Sequence, residues 1–156
     1  MANVTRKDVT DLLLAFKRRK QITFTELADK LGRNKVWTTA AILGQHPMSE
    51  TEATTVLREL DMNEKSITNL DDVKRILMEC PLRGNYPWPP SDPTLYRLYE
   101  ITQIYGPSIK AVAHELCGDG IISGINCKID VNKQLVDGDD WVEIKILGKF
   151  LRYPNE

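Results

Sequence analysis

The sequence predicts an α+β protein, mainly helical, with a helical amino-terminal domain over residues 1–80 and a small carboxy-terminal domain over residues 81–156 made of helix plus β-hairpin. Three observations carry this reading. Apolar residues recur at helical spacing behind hydroxyl caps through the first half, prolines crowd the middle, and the last third alternates apolar with polar residues.

The first half is punctuated by caps. Thr5 with Asp8, Thr23 with Glu26 and Ser49 with Glu52 each place a hydroxyl three residues before an acid that can reach back to it. Val9, Leu13 and Phe16 share one face of the first helix. Leu27, Ala28 and Leu31 do so in the second, which Gly32 ends. A third helix is expected from about Asn34 to Leu43, stopping at Gly44. A fourth buries Ala53, Val56, Leu57 and Leu60, and a last one over Leu70 to Cys80 turns Val73, Ile76 and Leu77 inward.

Five of the eight prolines lie between Pro81 and Pro93, where fixed φ angles and missing amide donors stop any regular element from crossing. This is the expected domain boundary. Asp92 then caps and Pro93 opens a helix expected to run to Tyr105 and close at Gly106. A further helix carries Ile109, Val112, Ala113 and Leu116 and ends at Gly118. Two alternating stretches follow, Ile125 to Val131 and Val142 to Ile146, with Asp137-Gly138 as the turn between them. A two-stranded hairpin is marginal in water, so its apolar face and open edges are expected to meet another subunit.

With 156 residues, 42% hydrophobic and 28% charged, the composition is that of a globular protein and excludes a disordered chain. No apolar run approaches the roughly 18 residues of a membrane span, so no membrane partner is expected and the location read is cytoplasmic. Cys80, Cys117 and Cys127 lack metal-ligand spacing and read as reduced, buried thiols; no metal is implied. Charge is unevenly placed, with net values of +5 over residues 1–47, −4 over 48–80 and −2 over 81–156.

The segment Thr23 to Gly44, with Ala28 where two helices approach and Gly32 in the turn, resembles the helix-turn-helix of phage-repressor-type DNA-binding proteins. Base reading would then fall to Arg33, Asn34, Lys35 and Thr38. Trp37, Ala40, Ala41 and Ile42 make that helix largely apolar, which favours a packing unit, and no nucleic acid partner is expected.

Chemistry is concentrated after the boundary. Arg97 and Glu100 are neighbours on one helix face, yet Ile101 and Ile104 extend that face, so the pair sits in an apolar setting. Gly118-Asp119-Gly120-Ile121-Ile122-Ser123-Gly124-Ile125-Asn126 lets backbone approach something closely, with a hydroxyl between apolar neighbours. His114 and Cys117 stand three apart and could be called a dyad, but a histidine at the edge of a core beside a buried thiol is the preferred reading. By periodicity alone, an ordinary intrahelical ion pair and a turn serine account for Arg97, Glu100 and Ser123.

The blocks Ser91-Asp92-Pro93-Thr94-Leu95-Tyr96-Arg97-Leu98-Tyr99-Glu100, Gly118 to Asn126 and Gly148-Lys149-Phe150-Leu151 resemble the signature blocks of the cyanases (cyanate hydratases), in that order and at family spacing. Ala41-Ile42-Leu43-Gly44-Gln45 and Pro81-Leu82-Arg83-Gly84 match as well. Departures are Leu98 where phenylalanine is usual, Gly124 where alanine is common, and extra residues around Ser66 to Asp72; none touches a polar site residue.

The resemblance implies a repressor-like helical domain followed by a domain that intertwines in a dimer, five dimers forming a homodecameric ring. It implies that cyanate and bicarbonate give carbamate and carbon dioxide, carbamate then giving ammonia and carbon dioxide. Arg97, Glu100 and Ser123 are implied as catalytic and Ile121, Ile122 and Leu151 as substrate-binding, with bicarbonate as co-substrate and no cofactor. Two small anions repel in a low-dielectric pocket unless cationic and amide donors compensate. One arginine per chain is a thin supply, and symmetry is the way to bring several together. A transcription factor would use Thr23 to Gly44, and an oligomeric scaffold would explain the hairpin but not the Arg97, Glu100 and Ser123 blocks.

Overall fold

The computed structural model describes residues 4–84 and 87–154; residues 85 and 86 of the proline-rich boundary and the chain ends lie outside the described residues. The chain forms two compact units, Met1–Gly84 and Asn85–Glu156.

Among the described residues, five helices make the first unit: α1 (Arg6–Lys20), α2 (Phe24–Leu31), α3 (Lys35–Ile42), α4 (Glu50–Glu59) and α5 (Leu70–Met78). All three capping boxes form, each with the hydroxyl accepting the N3 amide and the N3 acid accepting the cap amide. Asn34 caps α3 by accepting from Val36 and Trp37. Gly32 ends α2 at φ 65°, the left-handed conformation glycine reaches without strain. The core joins Val9, Leu13, Leu27, Ile42, Val56 and Val73 with their neighbours, and each such side chain contributes roughly 1.5 to 3 kcal/mol on burial. Leu31 is only half-buried at its rim.

Arg6 closes this bundle. Its Nη2 donates to the Ile76 carbonyl at 2.5 Å and the Glu79 carbonyl at 2.6 Å, satisfying acceptors that the end of α5 leaves without helical partners. Gly44, at φ 82°, lies under the arginine stem, where a Cβ would come within 3.2 Å of its Cγ and Cδ.

The second unit contains α6 (Pro93–Cys117), β1 (Gly120–Val136) and β2 (Asp139–Arg152). Here the structure corrects the sequence reading, because the two helices expected on either side of Gly106 are one helix of 25 residues. Pro107 removes one amide donor, but the residue before it is glycine. Without a Cβ, Gly106 escapes much of the clash that normally drives a pre-proline residue out of the helical region.

The hairpin is also longer than expected. Asp137 (φ 52°) and Gly138 (φ 88°) supply the two positive φ angles of a tight reversal that matches strand twist. Pairing runs from Val136 with Asp139 to Cys127 with Gly148, then resumes at Ile122 with Phe150 and continues to Gly120 with Arg152. Between these stretches Ser123 to Asn126 face Lys149 alone, forming a large β-bulge.

The cysteines depart from expectation too. Cys80 is exposed and Cys117 and Cys127 are half-buried; all three are free thiols. Cys80 lies beyond the end of α5, while the other two stand on elements with little covering. The helix α6 buries no residue, and Leu95, Leu98, Ile101, Ile104, Ile109 and Leu116 are all exposed along it.

Candidate functional site

The start of α6 is fixed locally. Asp92 accepts the Leu95 amide at 2.9 Å and Pro93 occupies the first turn, so Arg97 and Glu100 fall one turn apart on the same side. Arg97 Nη1 donates to Glu100 Oε2 at 2.5 Å. The hydrogen bond Arg97 donates to Glu100, and the charge of that carboxylate, raise the Arg97 pKa, keeping an already permanent cation protonated. The guanidinium remains 71% exposed and the carboxylate 38%. Solvent on both partners limits the pair's value to stability, as for any surface ion pair.

Aromatic packing that sequence spacing did not reveal holds this turn. Trp88 meets Tyr99 edge-on at 4.6 Å, and Tyr99 meets Tyr96 at 6.0 Å. Trp88 comes from the proline-rich segment, where no periodicity signals its partner.

The far end of α6 is tied to the hairpin through His114. Its Nε2 lies 3.1 Å from the Gly120 carbonyl, which can only accept, so Nε2 carries the proton. The Tyr153 amide donates to the Asp119 carbonyl at 3.2 Å. His114 therefore anchors a strand start, with its ring hydrogen-bonded to backbone and not to the Cys117 thiol. Glycine is required just beyond: a Cβ on Gly120 would collide with the Leu151 carbonyl and the Phe150 ring. Their close approach sets Ile121 directly opposite Leu151 on one sheet face, and Ile122 opposite Phe150 on the other.

Ser123 is 6% exposed inside the bulge. Its Oγ accepts the amides of Ile125 (3.2 Å) and Asn126 (2.9 Å), replacing the ladder bonds that the bulge forfeits. The expected glycine-rich loop is thus a bulged strand, and two of its amides are already engaged by this hydroxyl.

One chain does not bring its site residues together. Arg97 is seventeen positions before His114, about 25 Å along a helix, and Ser123 stands three residues beyond the Gly120 that His114 holds. The helix does not pack along the hairpin. Among the described residues, no hydrogen bond joins Ser123 to Arg97 or Glu100, and no group of three or more His, Cys, Asp or Glu could hold a metal ion. No helix among them is long and apolar enough to cross a membrane.

The helix-turn-helix segment folds as α2 and α3 with Gly32 in the turn, and three of its base-reading positions, Arg33, Asn34 and Thr38, make contacts within the bundle. Asn34 is the α3 cap and Thr38 is fully buried. Arg33 pairs with Glu52 at 2.5 Å and lies over the Trp37 ring at 4.8 Å. His46 stacks against Trp37 at 6.0 Å, and burial, with the Arg83 charge, lowers its pKa.

Fold and site together define a two-unit α+β protein whose carboxy-terminal helix presents an arginine–glutamate pair among exposed apolar residues and whose hairpin holds a buried serine in its bulge. Comparison with known proteins makes this specific. Residues 6–74 match the amino-terminal domain family of cyanate hydratase, and residues 87–155 match the cyanate lyase carboxy-terminal domain family. Cyanate hydratase of Serratia proteamaculans is 43% identical over 148 residues, covering 94% of this chain and 90% of the relative. That of Thiobacillus denitrificans is 41% identical over 151 residues, covering 96% and 98%. The crystal structure of cyanase from T. urticae superposes with a TM-score of 0.80 at 34% identity, covering 93% of this chain and 97% of that one. The chain belongs to the cyanate hydratase family of carbon–nitrogen lyases.

Proposed function

We propose that this chain catalyses the bicarbonate-dependent decomposition of cyanate. Cyanate, bicarbonate and one proton give carbamate and carbon dioxide, and carbamate with a second proton gives ammonia and carbon dioxide. Family membership supports the reaction, and the Arg97–Glu100 pair on an otherwise apolar helix face is the observation in the chain that carries it.

Arg97, Glu100 and Ser123 are the proposed catalytic residues. The guanidinium binds an anion through the donors that Glu100 leaves free, and Glu100 orients it and is placed to pass a proton. Because the Ser123 oxygen accepts two amides, its own proton is left to point at an anion, and the bonds it accepts polarise the hydroxyl as a donor. Ile121, Ile122 and Leu151 are proposed to line the substrate site and exclude water. Orientation and charge stabilisation then supply most of the rate, with bicarbonate as co-substrate and no further cofactor.

The separation of Arg97 from Ser123 within one chain supports a site shared between copies, and the exposed apolar length of α6 supports an intertwined dimer. Five dimers in a ring, a homodecamer, is the proposed assembly. Residues 81–156 are its catalytic and oligomerisation domain. Residues 1–80 are a repressor-like helical domain without a nucleic acid partner, and the free, isolated cysteines suit a cytoplasmic setting.

Ammonia release from cyanate, measured with and without added bicarbonate, tests the reading. Release that depends on bicarbonate is expected. Turnover undiminished after thorough removal of bicarbonate and carbon dioxide overturns it.

A further inference from the structure

The β-bulge that positions Ser123 also opens a groove of about 530 Å³ on the hairpin, lined by Ile125, Asn126, Lys128, Leu147 and Lys149 among its walls. Directly paired residues project to the same face of a sheet, and so do residues two apart on a strand. Lys128 pairs with Leu147, which is two residues from Lys149, and Lys149 is two residues from Leu151, whose partner is Ile121. Lys128, Lys149, Ile121 and Leu151 therefore share one face. Lys149 alone faces the four bulge residues, two of which, Ile125 and Asn126, line the groove beside it.

The other lysines of the hairpin have carboxylates close by. Lys133 forms an ion pair with Asp140 at 2.7 Å, and Lys145 stands opposite Asp130 in the register. Glu143 accepts from Asn132 two positions further along. Among the described residues, Lys128 and Lys149 are within ion-pair distance of no carboxylate, although the sequence from residue 81 onward carries a net charge of −2. Asp130 shares this face two residues from Lys128, but among the described residues the groove lining itself holds Lys128, Lys149 and the exposed carboxamide of Asn126 and no carboxylate, which makes a local positive field in an otherwise acidic segment.

We propose that Lys128 and Lys149 form an anion-gathering groove that captures small inorganic anions and hands them along the sheet face to the Ile121–Leu151 end. This deepens the cyanate reading and rests on it for the identity of the anions, since both proposed substrates are negatively charged. The lysines act on capture and not on the chemical step. Their effect belongs in kcat/KM and disappears when salt screens it.

Kinetics of the assembled enzyme carrying Lys128→Gln and Lys149→Gln, singly and together, test the groove at low and high ionic strength. The double variant is expected to lose about tenfold in kcat/KM for cyanate at low salt, with kcat kept, and to converge on the parent near 1 M salt, where screening acts within about 3 Å. Lys128→Arg and Lys149→Arg retain the charge and are expected to retain kcat/KM. Line broadening of chloride-35 in nuclear magnetic resonance gives a readout that needs no turnover: the parent broadens the signal and the double variant does not. An enzyme that ignores cyanate yet shows this broadening difference overturns the cyanate reading alone. A double variant with parental kcat/KM and chloride broadening overturns the groove, as does a deficit that persists at high salt or appears equally in the arginine variants.

Discussion

Arg97 Nη1 donates to Glu100 Oε2 at 2.5 Å across one turn of α6, and the arginine is the more exposed partner of the two. The glutamate orients the cation and leaves most of its planar fork open to an anion. Lysine offers a point charge on a flexible stem and cannot reproduce that fork. Arg97→Lys is therefore expected to lose about a hundredfold or more in kcat/KM for cyanate, within about tenfold of Arg97→Ala. Steady-state ammonia release decides it, and a lysine variant that keeps most of its activity removes Arg97 as a direct ligand.

The distance between Arg97 and Ser123 within one chain leads to a complementation experiment. Arg97→Ala and Ser123→Ala subunits are each expected to assemble without activity. Co-refolded as a mixture, they form some sites in which the arginine comes from one chain and the serine from another, both intact, so activity reappears. An isolated monomer with full activity is incompatible with a shared site.

Gly148 lies against the bulge, and a Cβ there would press on the Ile122 side chain and come within 3.0 Å of the Ser123 carbonyl. Gly148→Ala is expected to distort the bulge and to cut activity at least tenfold, about the cost of losing one oriented donor in part. Thermal unfolding of the amino-terminal helices is expected to stay unchanged. The two measurements together separate local distortion from global unfolding.

Thr38 is completely buried, and its hydroxyl has no hydrogen-bond partner among the described residues. Valine has nearly the same shape without the polar atom. Thr38→Val is expected to stabilise the first unit by about 1 kcal/mol, read as a rise of roughly 4 to 8 °C in its unfolding midpoint.

Glu26 accepts the Thr23 amide at 2.7 Å and the Thr23 hydroxyl at 2.7 Å, and these bonds lower its pKa below the ordinary carboxylate value. A carboxylate whose pKa is lower folded than unfolded stabilises the fold above its unfolded pKa. That contribution is lost as pH falls through the folded value. Glu26→Gln is expected to melt below the parent at neutral pH, with the difference vanishing in acid below the carboxylate range. Differential scanning calorimetry across pH reads it directly.

The sequence by itself determined the features that depend on residues close along the chain. Thr5, Thr23 and Ser49 cap helices because a hydroxyl and an acid three apart satisfy each other within one turn, whatever packs outside. Asp137-Gly138 turns because its backbone reaches positive φ cheaply, and Arg97 meets Glu100 because helix periodicity puts them there. The family blocks were legible for the same reason, being short runs at fixed spacing. Tertiary structure decided what depends on distant partners. Gly106-Pro107 reads as a stop, but the helix continues through it because glycine relieves the pre-proline clash. His114 finds its acceptor in the Gly120 carbonyl, Ser123 spends its oxygen on the bulge amides, and Lys149 faces that bulge alone. Each outcome follows from strand register, and register is settled by which side chains fit across the pair: Gly120 against Leu151 and Gly148 against Ile122, contacts between residues too far apart in sequence for any local pattern to record.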